Sequence, residues 1–518
     1  MKNPTTEPAK DDPILLQLAR KKYPDLKPHE EKLFRAVEEG EPADYSTGDK
    51  EKDKPDNAHN WGEDRVLKAE HIAWLCTDKQ ASKQVTHRGI PIIGARIDGD
   101  FDLALATIRF RLGFRRCSFK NKIDLKHAEI RILDLKGTHT KSIRADGLKV
   151  GGDVILKNGF KADGEVRFLG AEIGGNLECD GSQFTNRDGY ALLAENLKVS
   201  GNVFLRSGFR VDGKISFVGA NVGGDFNCDE SRYEFHQEEE KNSPQKEYID
   251  DEGVICLKRA EIRGCFNWTR IDLTDDVSLD LRSARIGVIL SELESWPKEG
   301  MLLINGLVYD EIYIEGEKGY QDKIEWLRLQ PKKIKYPQPY EQLAKTLLSN
   351  GHDREAKKTL IAKEQDRKKR GPKPTPGAWF WYNISGPIIG YGYRPLRPVW
   401  IGLIIFALGW LLFSIGNNHG LMSPVKEGDF FADDSSAVHR LPHDYPEFKP
   451  LVYSLDMFVP LIDLQQGKYW MPTGQGNCNI IGIPINCNML QIYLWIHILS
   501  GWALTSLFIV GLTGIVRK

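Results

Sequence analysis

Two stretches of the chain are apolar at almost every position. Pro398 to Ile415 (PVWIGLIIFALGWLLFSI) runs eighteen residues without a charge, and Leu490 to Val516 carries His497 as its only ionisable group. A bilayer core of about 30 Å takes about 20 helical residues to cross, so each stretch is long enough, the first only just. Apolar residues cover every face and Trp or Tyr stand near the ends, which predicts transmembrane helices rather than core helices of a soluble fold. From Gly99 to Gly287 the pattern changes to short runs of period two, each bounded by glycine, which predicts half-buried strands separated by turns. Helical spacing appears at Asp12 to Gly40, at Val66 to Cys76 and at Pro339 to Asp366, the last reading as two helices joined at Asn350, Gly351 and His352.

Shifting the chain by 49 residues overlays Gly152 to Asp180 (GDVILKNGFKADGEVRFLGAEIGGNLECD) on Gly201 to Asp229 (GNVFLRSGFRVDGKISFVGANVGGDFNCD) without a gap. Within each copy a finer unit of 11 to 12 residues recurs, with glycines at 152, 164 and 175 and again at 201, 213 and 224. Short strands in fixed register stack, so residues 89–330 are expected to form a β-solenoid. Cys179 and Cys228 hold matching positions and are expected in its core as small hydrophobes. Gly174, Gly175, Gly223 and Gly224 read as tight turns with positive φ.

An open solenoid end exposes strand edges and core, and residues 1–88 are the expected helical cap. Its charged stretch STGDKEKDKPDNAHN, residues 46–60, lacks apolar anchors and reads as a mobile loop. Residues 331–375 form a helical hairpin and a basic linker. Residues 376–518 form the transmembrane module, with spans 398–415 and 490–516 and an extracytoplasmic loop 417–489. Phe448 to Leu464 (FKPLVYSLDMFVPLIDL) is apolar enough to enter a membrane but too short and too proline-punctuated to cross it, the pattern of a re-entrant helix.

Composition hides this organisation: 28% charged residues, a net charge of -1 and a mean hydropathy of -0.40 describe an average soluble chain. Local charge is more informative. Arg367, Lys368, Lys369, Arg370, Lys373, Arg394 and Arg397 precede the first span, and Arg517 and Lys518 follow the second, which predicts that both termini are cytoplasmic. The intervening loop holds four Lys or Arg against eight Asp or Glu. Cys478 and Cys487 would then lie in an oxidising space and form a candidate disulfide, while the other six cysteines stay reduced. The run DRKKRGPKP beside a span reads as lipid contact and topology fixing; nucleic acid is not an expected partner.

The segments GAEIGG and GANVGG resemble steps of pentapeptide-repeat β-helices, although a spacing of five is absent. The segments HIAWLCTDKQ, RGIPIIGARIDGDFDL and QPYEQLAKTLLSNGHDREAKKTLIAKEQDRKK resemble bacterial proteins filed as membrane-associated oxidoreductases, over most of the chain. That resemblance implies a bacterial inner-membrane location and a redox activity. The residues themselves supply no GxGxxG after a strand, no CxxC and no metal-spaced His cluster, so no catalytic, cofactor-binding or metal-binding residue is expected. Pro339 to Asp366 resembles one tetratricopeptide-type hairpin.

The order of span, re-entrant helix, loop and span resembles the subunit of two-transmembrane pore-loop channels, which are tetramers, although no TVGYG-like filter follows Met457. Candidate pore and re-entrant residues are Ser454, Asp456, Pro460, Asp463, Gly501, Ser506 and Gly511. Asp456 and Asp463 would form carboxylate rings in an oligomer, or else cap a helix lying on the outer surface. The small residues of the second span suit a pore lining or a dimer contact equally. His497 reads as a proton relay or as an interfacial group with Tyr493 and Trp495. The expected function is a cytoplasmic solenoid sensor or scaffold, carrying an unidentified ligand or protein, coupled to an oligomeric and ion-conducting module; the alternatives are a non-conducting scaffold and an oxidoreductase.

Overall fold

The period-two runs fold into a β-solenoid of about nine turns over residues 90–315. The computed structural model of the chain describes residues 12–235, 254–316, 318–331, 337–370, 375–394, 396–425, 445–473, 477–480, 483–486 and 488–513. The chain divides into two units, Met1–Thr359 and Leu360–Lys518.

Each coil has four sides. In one coil short strands begin at Lys149, Val154, Lys161 and Val166, and the next coil begins at Glu172. Steps of five therefore do occur, across two corners; extra residues at the other two hide them in the sequence. Each side sends two residues inward around one that faces out: Val154 and Leu156, Phe160 and Ala162, Val166 and Phe168, Ala171 and Ile173, all buried. All strand pairing between coils is parallel, as Lys149 to Glu172 and Glu172 to Lys198 illustrate.

Those registers give coils of 23 and 26 residues, together the 49-residue repeat. The repeat spans two coils because inward volumes alternate. At the third side, successive coils present Phe160 with Ala162, Ser182 with Phe184, Phe209 with Val211, and Ser231 with Tyr233. A large ring in one column sits beside a small residue in the other, so rings stagger rather than collide; Phe160–Phe184 and Phe184–Phe209 centroids are 5.6 and 5.5 Å apart. Cys179 and Cys228 belong to the same alternation, with Leu205 between them, and both are buried.

The paired glycines have a different cause from the one expected. Gly174, Gly175, Gly223 and Gly224 do not adopt positive φ. A Cβ on Gly174 or Gly223 would overlap the backbone carbonyl of Gly151 or Ser200, while Gly175 and Gly224 make room for a polar ladder at the corner between the first and second sides. The Asp153 side chain accepts a hydrogen bond from the Asn176 amide, Asn176 from Asn202, Asn202 from Asp225, and Asp225 from Cys265, at 2.7–2.8 Å. A Cβ on Gly175, Gly201, Gly224 or Gly264 would overlap the ladder oxygen of the coil below. The ladder satisfies corner amides that the short strands leave over.

Both ends of the solenoid are covered. Helices Ile14–Lys22, Pro28–Glu39 and Ala69–Thr77 pack at the start. Ala43–Asp44 and Val66–Lys68 add parallel strands to the first coil, so the helical pattern at Val66 begins as a strand because an open edge is there to pair with. The charged stretch 46–60 is fastened down. Asp53 accepts from the Thr47 and Gly48 amides and pairs with buried Arg65, whose guanidinium lies over the Trp61 ring, and Asp56 bridges to Lys161 at 2.7 Å. At the far end, helix Tyr320–Arg328 buries Trp326 and Leu327. The first hairpin helix, Gln338–Ser349, caps the last coil with glutamines: Gln338 accepts from the Gly306 amide and donates to the Leu307 carbonyl, and Gln342 donates to the Tyr309 carbonyl. This helix serves as a lid on strand edges.

Candidate functional site

The second unit is built on two long apolar helices, Arg397–Asn418 and Asn488–Thr513, with a short helix, Pro450–Phe458, packed against both. Proline in the first turn starts the first long helix and the short one, where a missing amide costs nothing. Gly402, Gly409 and Gly416 recur every seventh residue and line one face of the first long helix. Gly402 meets Phe458 and Leu504, Gly409 meets Ser454 and His497, and Gly416 meets Leu490. Gly501 lies against the backbone carbonyl of Phe458, where a Cβ would overlap it. Small residues let the three backbones approach closely.

The centre of this packing is polar. Ser454 and His497 are fully buried, and the Ser454 hydroxyl lies 3.0 Å from the Phe406 carbonyl and 3.2 Å from His497 Nε2. Nε2 is also 3.1 Å from the Ser454 carbonyl, and Tyr493 reaches Nδ1 at 3.3 Å. Phe413 and Phe458 close over the imidazole edge and face. The Ser454 hydroxyl satisfies a helix carbonyl and ties all three helices together. His497 is thus an internal packing group, whereas Trp495, two residues away, is 56% exposed.

These contacts fix the level of the short helix along its neighbours. Tyr453 meets Phe413 edge to face, Ser454 meets Phe406 and Gly409, and Phe458 meets Gly402. Gly402 to Phe413 is roughly 16 Å of helix, so the short helix runs alongside the middle of the first long helix. The chain then turns back. Asp456 accepts from the Leu464 amide at 2.6 Å and the Gly467 amide at 2.9 Å, holding the return loop beside the short helix. Asp463 caps Gln465 and pairs with Lys468 at 2.8 Å, with both side chains at least 60% exposed. Pro460 lies in this loop, and Leu461, beside it, is 79% exposed.

The outside of the unit is apolar. Both long helices are long and apolar enough to cross a membrane, and only 22% of each apolar window is buried within the unit. Trp400, Ile404, Leu499 and Trp502 stand more than half exposed.

The structure brings together Ser454 and Asp456 on the short helix with Gly501 on the second long helix, and adds Asp463 and Pro460 through the return loop. It leaves Ser506 exposed on the second long helix, and Gly511 lies near that helix's end, away from the others in sequence. Ser454 and Gly501 are consumed by packing within one chain. Sequence reasoning missed Gly402, Gly409 and Gly416, although their seven-residue spacing is legible in IGLIIFALGWLLFSIG. Cys487 lies outside the described residues, and with it the candidate disulfide to Cys478. Burial pushes the Cys117 and Cys228 thiols up to about 12 and also raises the Cys179 thiol well above its ordinary value. Among the described residues no group of three or more His, Cys, Asp or Glu is arranged to hold a metal ion. Comparison with family models, curated proteins and solved structures finds no match to this chain.

Proposed function

We propose that the protein is an oligomeric integral membrane protein of the bacterial inner membrane. Its two long helices span the bilayer, its short helix re-enters between them, and its cytoplasmic solenoid senses a ligand or partner that controls a conducting path. Basic residues before the first long helix and after the second support the orientation, with both termini cytoplasmic.

One observation carries the reading. The return loop after Phe458 is irregular, exposed in the single chain, and bears an exposed ion pair, Asp463 with Lys468, at the level of the helix middles. Irregular backbone and charge at membrane depth are tolerated only inside protein or beside water, never against lipid tails. Neighbouring copies around an axis would supply both. The return loop then lines a polar path, and Asp463 is the group that meets a passing ion. The same arrangement supports the likeness to pore-loop channels; without conduction it leaves a membrane-anchored scaffold.

Two measurements test this. The purified chain in detergent should sediment as an oligomer, and liposomes containing it should pass monovalent cations, with flux reduced at least several-fold in Asp463→Asn. A monomer refutes the path, and an oligomer that conducts nothing leaves the scaffold. A visible absorption spectrum tests the oxidoreductase implied by the family resemblance; a bound chromophore would displace the sensor reading.

A further inference from the structure

Several outward charges of the solenoid are paired from coil to coil. Glu172 pairs with Lys198, Asp180 with Arg206, Asp146 with Arg167, and Asp229 with Arg270. At the first coils cations gather around one opening instead. A cavity of about 440 Å³ opens where the N-terminal cap meets them, and its walls hold His87, Arg88, Arg111, Arg115 and Arg131, with no carboxylate among the lining residues. Glu41 takes Arg88 at 3.1 Å, and buried Asp134 is shared by Arg111 and Arg115. One carboxylate between two guanidinium groups leaves a positive charge over. Arg131 forms no ion pair among the described residues, and the buried Nε of Arg111 has no acceptor. Holding these guanidinium groups around one cavity with a single carboxylate between two of them is unfavourable, and an arginine fork matches phosphate oxygens.

The floor differs from the walls. Pro91, Gly113 and Ile132 meet there, in neighbouring strands. A Cβ on Gly113 would find nothing nearer than 3.7 Å, so local packing does not demand glycine; its absence of side chain keeps a slot open between Arg111 and Arg115. The cavity is the size of small-molecule sites, which pair apolar surface with a few placed charges.

We infer that this cavity binds a phosphorylated small molecule of nucleotide size, with its phosphate on Arg111, Arg115 and Arg131 and its apolar or planar part on Pro91, Gly113 and Ile132. The site is independent of the membrane reading: binding is measured on the full chain in detergent, with no ion flux required, so either can fail alone. The probes are adenosine monophosphate, pyrophosphate and adenosine, titrated calorimetrically in low-salt buffer. Adenosine monophosphate should bind saturably, more tightly than pyrophosphate, with adenosine much weaker. Because Arg131 is exposed, Arg131→Gln should keep the wild-type circular dichroism yet weaken binding roughly tenfold or more, the loss of one charged hydrogen bond. Lys198→Gln, far along the solenoid, should bind as wild type. Failure of both phosphorylated probes to bind, or equal binding by Arg131→Gln, overturns the assignment.

Discussion

The two units treat apolar residues in opposite ways. In the solenoid the strands turn apolar residues inward, and most charges face outward, several in coil-to-coil ion pairs such as Glu172 with Lys198 and Asp180 with Arg206. In the helical unit the buried centre holds Ser454 and His497, while Trp400, Ile404 and Leu499 cover the outside. Glycine serves both for the same reason, close approach, but admits different things: a polar ladder oxygen at Gly175 and Gly224, and neighbouring helices at Gly409 and Gly501. On the membrane reading proposed above, the contrast is that of two surfaces facing two solvents.

The largest expected effect lies in the solenoid core. Phe184→Ala removes a ring staggered between Phe160 and Phe209 and should cost about 4 kcal/mol, read as a lower denaturation midpoint for the strand signal while the helical signal holds. Next comes a substitution that separates the two solvents. Ile404 is 70% exposed; an aspartate at such a position on a water-facing helix costs within about 0.5 kcal/mol, but at a bilayer centre about 3 kcal/mol. Ile404→Asp should therefore reduce membrane insertion sharply, measured by the fraction resisting carbonate extraction; full insertion would erase the contrast between the units. Asn176→Ala breaks one rung of the ladder and leaves the Asn202 amide without its acceptor, for about 1–2 kcal/mol in urea unfolding. Smallest near neutral pH is the thiol chemistry. Burial holds the Cys117 and Cys228 thiols up to about 12, against an ordinary 9.0, so each binds its proton more tightly folded than unfolded. Stability from these groups is present below pH 9 and lost as pH rises towards 12. Native protein at pH 8 should take up maleimide at half-buried Cys265 but not at either of these until unfolded.

How much of this was legible in the sequence follows from how each feature is encoded. Alternation at period two and glycine punctuation exposed the solenoid, because stacking repeats the same demand on every coil. The coil itself was hidden: its inward columns alternate large and small, as in Phe160 with Ala162 against Ser182 with Phe184, so the strongest match fell at two coils. The glycine pairs were visible but their cause was not, since the clash they avoid lies in the coil below, more than 20 residues away. Charged residues 46–60 read as open chain because polar contacts rather than apolar anchors fasten them: Asp53 pairs with Arg65, buried just past the stretch, and Asp56 with Lys161, 105 residues on. In the helical unit, composition alone marked both long helices, and the position of Phe448 to Leu464 marked the short one. The meeting of Ser454 with His497 could not be read, because it depends on which faces three helices present.

The claim that the return loop is enclosed by neighbouring chains meets its most direct test in native membranes carrying Leu461→Cys. Oxidation should join chains into covalent dimers that reducing agent dissolves, absent from wild-type membranes and from Ile404→Cys. If Leu461→Cys chains stay monomeric under oxidation, the loop does not face its own copies, and the path proposed around it does not exist.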